Sequence, residues 1–225
     1  MRPKQRIVEK LKYSTILRIL FDAVSKVGIR VTPYYLVQEG GWRNEILEFE
    51  KGFWGYEVRF LYEEDMRYLS RLPCRSISKN DLIKRLKNGH YCLALLHEGN
   101  VVAFNWVNPF ECSGQLCAFP LHSDEAYLYD AYTIPSYRGK RLAPYLIYQT
   151  YKTLSNFGIL KVYGIFEAFN TPAVKFKKEM DAKFIRFGVS ISLFKICNVN
   201  FGLRNTPEYT LRFSSSVEET TVSHN

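Results

Sequence analysis

The sequence predicts an α/β fold of one domain with a short N-terminal elaboration. Its 225 residues are 47% hydrophobic and 16% aromatic, which favours a strand-rich core over a disordered chain. From residue 56 onward, the patterns predict a strand, two helices and three more strands, then a helix, a strand, another helix and further strands. Glycine and proline residues separate most of these segments.

The first 55 residues are predicted to form a helix and a strand that pack on the main domain or mediate dimerisation. Residues 5–27 have apolar positions at helical spacing, and Gly28 ends that helix. Residues 30–38 are strand-like, and Pro33 places this strand at a sheet edge or at a bulge.

In the main domain, residues 56–213, caps and turns set the element boundaries. The helix over 78–88 begins at Ser78 or Asn80 and stops at Gly89. Apolar runs at 91–96 and 101–107 flank a turn and predict a hairpin, whereas 108–123 is predicted to be a loop. Thr171 is the predicted N-cap of a helix that has Pro172 in its first position. The other predicted elements are strands at 56–61, 125–134, 161–166, 184–196 and 209–213, helices at 63–71 and 141–156, and a disordered tail at 214–225.

The junction after the predicted strand 125–134 is the most informative part of the chain. Pro135 ends the strand, Gly139 permits a turn, and helical spacing starts at Arg141. Free backbone N–H groups and the helix dipole make such a helix start a phosphate-binding position. Lys140 adds a full positive charge, and Pro144 falls in the first turn, where its missing N–H is least harmful.

The run from Thr133 to Ala143 resembles the acyl-CoA-binding motif of the GNAT (Gcn5-related N-acetyltransferase) superfamily. That motif has arginine or glutamine, two residues, glycine, one residue, and then glycine or alanine. Arg138 and Ala143 fit its two ends, but Arg141 stands at the middle glycine. Arg141 either keeps ordinary helical geometry with its side chain turned toward a phosphate, which we favour, or weakens the site.

The resemblance covers residues 56–196 and implies a mixed, mostly antiparallel sheet with helices on both faces. It also implies acetyl transfer from acetyl-CoA to an amine, without a metal. The cofactor-binding residues that it implies lie in the loop and at the next helix start. They are Thr133, Arg138, Gly139, Lys140, Arg141, Leu142, Ala143 and Asn170.

For the general base, the resemblance implies a carboxylate on or near the central strand: Asp130, Glu125 or Glu167. Glu125 and Asp130 point to opposite faces of a regular strand, so at most one of them faces a cleft. Asp130 lies in an apolar run, and it is therefore either bonded structurally or functional. The family's tyrosine acid falls at Lys177, which suggests that catalysis depends mainly on positioning.

Charge and cysteine content limit the partners and the compartment. The net charge is +9, and residues 138–186 hold ten Lys or Arg and three Asp or Glu, hence +7. That field would attract coenzyme A, a nucleic acid or an acidic membrane. Five cysteines without a Cys-x-x-Cys pattern favour a reducing, cytoplasmic compartment, and no apolar run is long enough for a membrane span.

The favoured acceptor is the amine of a small molecule or of a sugar-linked compound. One alternative is a non-catalytic module that binds nucleic acid or an acidic partner. Another is an acetyltransferase of protein lysines or N-termini. The sequence leaves open whether the chain forms a homodimer.

Overall fold

A computed structural model of the chain describes residues 21, 24–39, 52–72, 77–114, 117–194 and 197–205. The chain is divided into two compact units. The first includes the described residues of 1–39, 113–119 and 164–225, and the second those of 40–112 and 120–163. The predicted strand at 209–213, the tail at 214–225 and most of the predicted helix at 5–27 lie outside the described residues.

The helices and strands follow one another in nearly the predicted order. They are β1 (Ile29–Glu39), β2 (Tyr56–Phe60), α1 (Met66–Leu69), α2 (Lys79–Lys87), β3 (Tyr91–His97), β4 (Asn100–Asn108), β5 (Glu111–Gly114), β6 (Cys117–Pro120), β7 (Glu125–Thr133), α3 (Leu142–Asn156), β8 (Lys161–Glu167), α4 (Thr171–Glu179), β9 (Lys183–Leu193) and β10 (Cys197–Asn205).

The second unit is a sheet with helices on both faces. Its strands are hydrogen-bonded in the order β7, β4, β3, β2, and the pairs β2–β3, β3–β4 and β4–β7 are antiparallel. Leu82 of α2 packs with Cys92 of β3 on one face. On the other face Leu142 of α3 packs with Leu93, because successive strand residues point to opposite sides. The predicted fold class, a mixed and mostly antiparallel sheet flanked by helices, is confirmed.

In the first unit, strand order corrects the interpretation of Pro33. The order is β10, β9, β1, β8, so β1 has a neighbour on each side and is not an edge strand. Pro33 lies opposite Val189, and its carbonyl accepts a hydrogen bond from the Ala168 N–H at 2.8 Å. The register shift falls between Leu36 and Val37 instead. A proline lacks a donor but keeps its acceptor, and that acceptor is used here.

Two local predictions are wrong, and one strand was not predicted. The predicted loop at 108–123 contains the hairpin strands β5 and β6, which at four residues each are too short to show a periodic pattern. The N-cap of α4 is Asn170 and not Thr171, since the Asn170 side chain accepts a hydrogen bond from the Ala173 N–H at 3.2 Å. The edge strand β10 was not predicted at all.

Candidate active site

A tight loop joins β7 to the start of α3. The Ile134 N–H donates to the Val102 carbonyl at 2.9 Å, which fixes the point where the chain leaves the sheet. One turn of 3-10 helix follows over Pro135–Tyr137, and residues 138–141 are exposed to solvent. The predicted strand, loop and helix start are therefore present.

Two basic side chains of this loop contact the end of β7 and the 3-10 turn. Arg138 donates from Nε to the Thr133 carbonyl at 3.1 Å, and its guanidinium lies 5.7 Å from the centre of the Tyr132 ring. Lys140 Nζ lies 4.9 Å from the centre of the Tyr137 ring. These contacts keep two positive charges beside the loop while leaving them exposed.

The backbone of Arg141 contradicts the geometry favoured from the sequence. Arg141 is the N-cap of α3 and has φ 59° and ψ 20°, in the left-handed region rather than in helical geometry. A residue with a Cβ pays about 1–2 kcal/mol for this conformation, which glycine adopts freely. Arg141 therefore adopts a conformation that favours glycine, and it does so with local strain.

Gly139 and the start of α3 leave room for an anion. Gly139 has φ +80°, and a Cβ added there would meet no atom within 4 Å. The N-cap residue makes no side-chain hydrogen bond to the helix, and the first turn holds no acidic residue. Leu142 is buried in the core and Ala143 is half-buried. Their side chains are apolar, so these two residues could bind a phosphate only through their backbone N–H groups.

A bulge interrupts the ladder between β4 and β7. Phe104 lies opposite Tyr132 and Trp106 opposite Tyr129, so Asp130 and its neighbour 131 together span one residue of β4. Asp130 has φ 48°. Bulges of this kind redirect side chains and are frequent beside active sites.

Asp130 itself forms an ion pair across the sheet face. Its Oδ2 lies 2.6 Å from Arg85 Nη1, and both side chains are about one quarter exposed. The Arg85 guanidinium also lies 5.2 Å from the centre of the Trp106 ring and 5.1 Å from that of Tyr129. The sequence left two alternatives for Asp130, a structural bond or a functional role. The ion pair with Arg85 is a structural bond of that kind.

Beside this pair lies a second one that the sequence did not predict. His90 Nδ1 lies 2.7 Å from the Tyr129 hydroxyl. Burial, followed by the charge of Arg85, lowers the pKa of His90 below its ordinary 6.5, although Glu111 acts in the opposite direction. Burial raises the pKa of Tyr129 well above its ordinary 10. At neutral pH the phenol therefore keeps its proton and the imidazole is neutral.

Glu125 lies at the opposite end of β7 from the loop. Eight strand steps separate it from Thr133, which is about 26 Å. Its side chain is 2% exposed and accepts hydrogen bonds from the Tyr163 hydroxyl at 2.9 Å and the His122 N–H at 2.9 Å. Lys161 Nζ lies 3.8 Å away. These contacts account for the burial of Glu125, and its catalytic role stays a prediction.

The first unit contains the other two predicted site residues. Glu167 and Asn170 line a pocket of about 580 Å³ together with Phe169. Glu167 pairs with Arg30 at 3.3 Å, and both side chains are more than half exposed. Asn170 uses its side-chain oxygen to cap α4, so it is a helix-start residue. Its predicted contact with the cofactor stays a prediction.

Lys177, at the position of the family's tyrosine, is buried in the first unit. Its Nζ lies 2.6 Å and 2.8 Å from the two carboxylate oxygens of Glu39 on β1. The side chains are 8% and 2% exposed. No sequence signal connects two residues that are 138 positions apart, so this pair could not have been predicted.

Comparison with known proteins identifies the family. A sequence model of the acetyltransferase (GNAT) family matches residues 51–181, which is more than half of the chain. The chain belongs to the GNAT family. The family resemblance noted at residues 133–143 is thereby confirmed. No curated protein matches the chain.

Several solved structures share this fold. A GCN5-related N-acetyltransferase-like protein from Streptococcus suis is 13% identical with a TM-score of 0.54, covering 80% of this chain and 68% of that one. A GNAT-family protein from Novosphingobium aromaticivorans is 18% identical with a TM-score of 0.53, covering 74% and 66%. A Drosophila protein is 14% identical with a TM-score of 0.51, covering 79% and 56%. The GNAT chain thus spans little more than half of the Drosophila protein and just under two thirds of the Novosphingobium protein.

None of the described helices of this GNAT protein is both long and apolar enough to cross a membrane. Within the same residues, no group of three or more His, Cys, Asp and Glu side chains is arranged to hold a metal ion.

Proposed function

We propose that this protein transfers the acetyl group of acetyl-CoA to the amine of a small molecule. The observation that carries the proposal is the loop between β7 and α3, where the uncapped helix start, Gly139 and three exposed basic residues meet. Membership of the GNAT family supports the same reaction. Acetyl-CoA supplies the acetyl group as a thioester.

The loop fits a pyrophosphate by charge and by shape. Backbone N–H groups between Arg138 and Ala143 would donate to the phosphate oxygens, and the open space beside Gly139 would admit them. The left-handed backbone of Arg141 follows the path that the motif glycine would take. Lys140 and Arg141 would add charge from the side.

The pair formed by Tyr129 and His90 is our candidate for accepting the proton of the amine. As the amine loses its proton to the Tyr129 oxygen, the phenolic proton passes to His90 Nδ1, so no buried charge is created on the phenol. Their 2.7 Å contact and their place at the bulge support this assignment. Asp130, held by Arg85, would orient the bulge rather than act as the base.

The pH dependence of turnover follows from the lowered pKa of His90. A proton acceptor must be neutral, so with an arylamine, which is itself neutral over this range, the acidic limb of kcat/KM should have its midpoint below pH 6.5. The His90→Gln variant should lose about a hundredfold or more in kcat together with this acidic limb. The His122→Gln variant, which changes an exposed loop histidine, should keep both. A His90→Gln variant with the wild-type profile would rule out this proton acceptor.

The direct test of the proposed function is an assay of acetyl transfer. The protein is mixed with acetyl-CoA and a panel of aryl, alkyl, polyamine and aminosugar acceptors, and both released thiol and the acetylated amine are measured. We expect thiol release in the presence of one class of acceptor amine and not in the presence of the others. Absence of transfer to every amine, combined with salt-sensitive binding of a nucleic acid, would instead support the non-catalytic alternative.

A further inference from the structure

A second cavity lies in the second unit where β2 ends and β3 begins. We call it the edge groove, and its volume is about 530 Å³. That volume falls within the range of small-molecule sites. None of the residues that line it belongs to the loop at 133–143.

Four Phe and Tyr rings line the edge groove. Phe60 is central, with its ring centre 6.1 Å from that of Tyr91 and 6.4 Å from that of Phe157. Tyr62 and Phe157 are 59% and 61% exposed. Clustered aromatic side chains that remain open to water are typical of a binding surface rather than of a core.

The charges at the edge groove have one sign. Among its described lining residues, only Glu63 and Glu64 carry a charge at neutral pH, since the pKa of His90 is lowered by burial. Neither carboxylate has an ion-pair partner in the described part of the chain. Arg59 is held by Asp65 through two hydrogen bonds of 2.8 Å and 3.0 Å, and the Coulomb attraction of Glu64 is the smallest of the effects on the raised pKa of Arg59.

We propose that the edge groove binds an organic cation, a small ammonium compound that carries an aromatic or alkyl group. Rings recognise an ammonium group through their negative faces, and carboxylates at the rim add Coulomb attraction. A protein of net charge +9 that presents two unmatched carboxylates beside four rings selects against anions at this place. His90, the proposed proton acceptor, also lines the groove, but binding of an organic cation there requires neither acetyl-CoA nor proton transfer.

The test uses three probes of similar size and different charge: 2-phenylethylamine, 2-phenylethanol and phenylacetate. Calorimetry on the full chain should rank their affinities as cation, then neutral, then anion, and high salt should reduce the difference. Labelled-histidine NMR should show a shift of His90, which lines the groove, on addition of the amine. The Gly139→Asp variant should bind the amine as wild type does, which separates this site from the proposed cofactor loop.

Two variants and one control complete the test. Glu63→Gln combined with Glu64→Gln should weaken the amine about fivefold to tenfold and leave the alcohol unchanged. Phe157→Ser should weaken all three probes, whereas Glu57→Gln, an exposed change on β2 outside the groove, should change nothing. Equal affinities for the three probes, no binding of the amine, or a chain dimer that Phe157→Ser dissociates would each overturn the proposal.

Discussion

Replacing Lys177 with methionine is expected to lower the free energy of unfolding by about 3–5 kcal/mol. The Glu39 carboxylate is buried with Lys177 Nζ 2.6 Å from one oxygen and 2.8 Å from the other. Methionine has a similar volume but no charge, so it leaves a carboxylate without its counter-ion in a site that water does not reach. Urea unfolding at neutral pH measures the loss.

The same variant should show a distinct pH dependence. Burial raises the pKa of Glu39 above its ordinary 4.5, although the charge and the hydrogen bond of Lys177 act in the opposite direction. A carboxyl whose pKa is raised by folding stabilises the fold fully below its unfolded pKa and loses that contribution as pH rises through the folded value. Without Lys177 the pKa of Glu39 rises further, so the variant should regain stability as pH falls toward 4.5.

Matched variants separate the ion pair from the general effect of losing a lysine. Lys175→Met changes an exposed residue of the same helix, whose contact with Glu179 is 3.9 Å, and it should cost less than about 0.5 kcal/mol. Lys177→Met combined with Glu39→Met should recover most of the loss, because a buried apolar pair needs no counter-ion. A loss below about 1 kcal/mol in Lys177→Met would contradict this account of the pair.

Replacing Glu125 with leucine is expected to cost about 2–4 kcal/mol of unfolding free energy. The change removes the acceptor of two hydrogen bonds, from the fully buried Tyr163 hydroxyl and from the His122 N–H. A buried polar group that loses its acceptor costs about 1–3 kcal/mol. Thermal and urea unfolding measure the effect.

The control for this variant also tests the catalytic role predicted for Glu125. Glu125→Gln keeps an acceptor oxygen for Tyr163 and should lose less than half as much stability. If Glu125 were the general base, Glu125→Gln would abolish acetyl transfer while leaving the fold intact. We expect it to retain most of its activity, since the residue lies about 26 Å along the strand from the loop.

The sequence was sufficient to predict those elements whose boundaries are marked by neighbouring residues. The proline at 135, the glycine at 139 and the apolar spacing after residue 141 define a strand, a loop and a helix start, and the structure has all three. The family resemblance predicted helices on both faces of the sheet. Successive side chains of β3 point to opposite faces, and each face packs against a helix.

Contacts between residues distant in sequence leave no local signal. His90 and Tyr129 are 39 positions apart, and neither lies in a motif. The prediction that Glu125 and Asp130 point to opposite faces assumed a regular strand. The bulge at Asp130 breaks that alternation, because an extra residue moves every later side chain of the strand to the other face. For Arg141, propensity favoured helical geometry, but the tight turn into α3 imposes the left-handed one.

The most direct test of the central claim is a calorimetric titration with acetyl-CoA. Wild type should bind, and Gly139→Asp should bind at least about a hundredfold more weakly, because a carboxylate at the helix start repels the phosphates and displaces their hydrogen bonds. Gly158→Asp is the matched control: Gly158 also has φ +80° and open space, but it follows the far end of α3, about 22 Å away. It should bind within about threefold of wild type. Equal affinity of the two variants, or no binding by wild type, would contradict the assignment of the loop as the coenzyme A site.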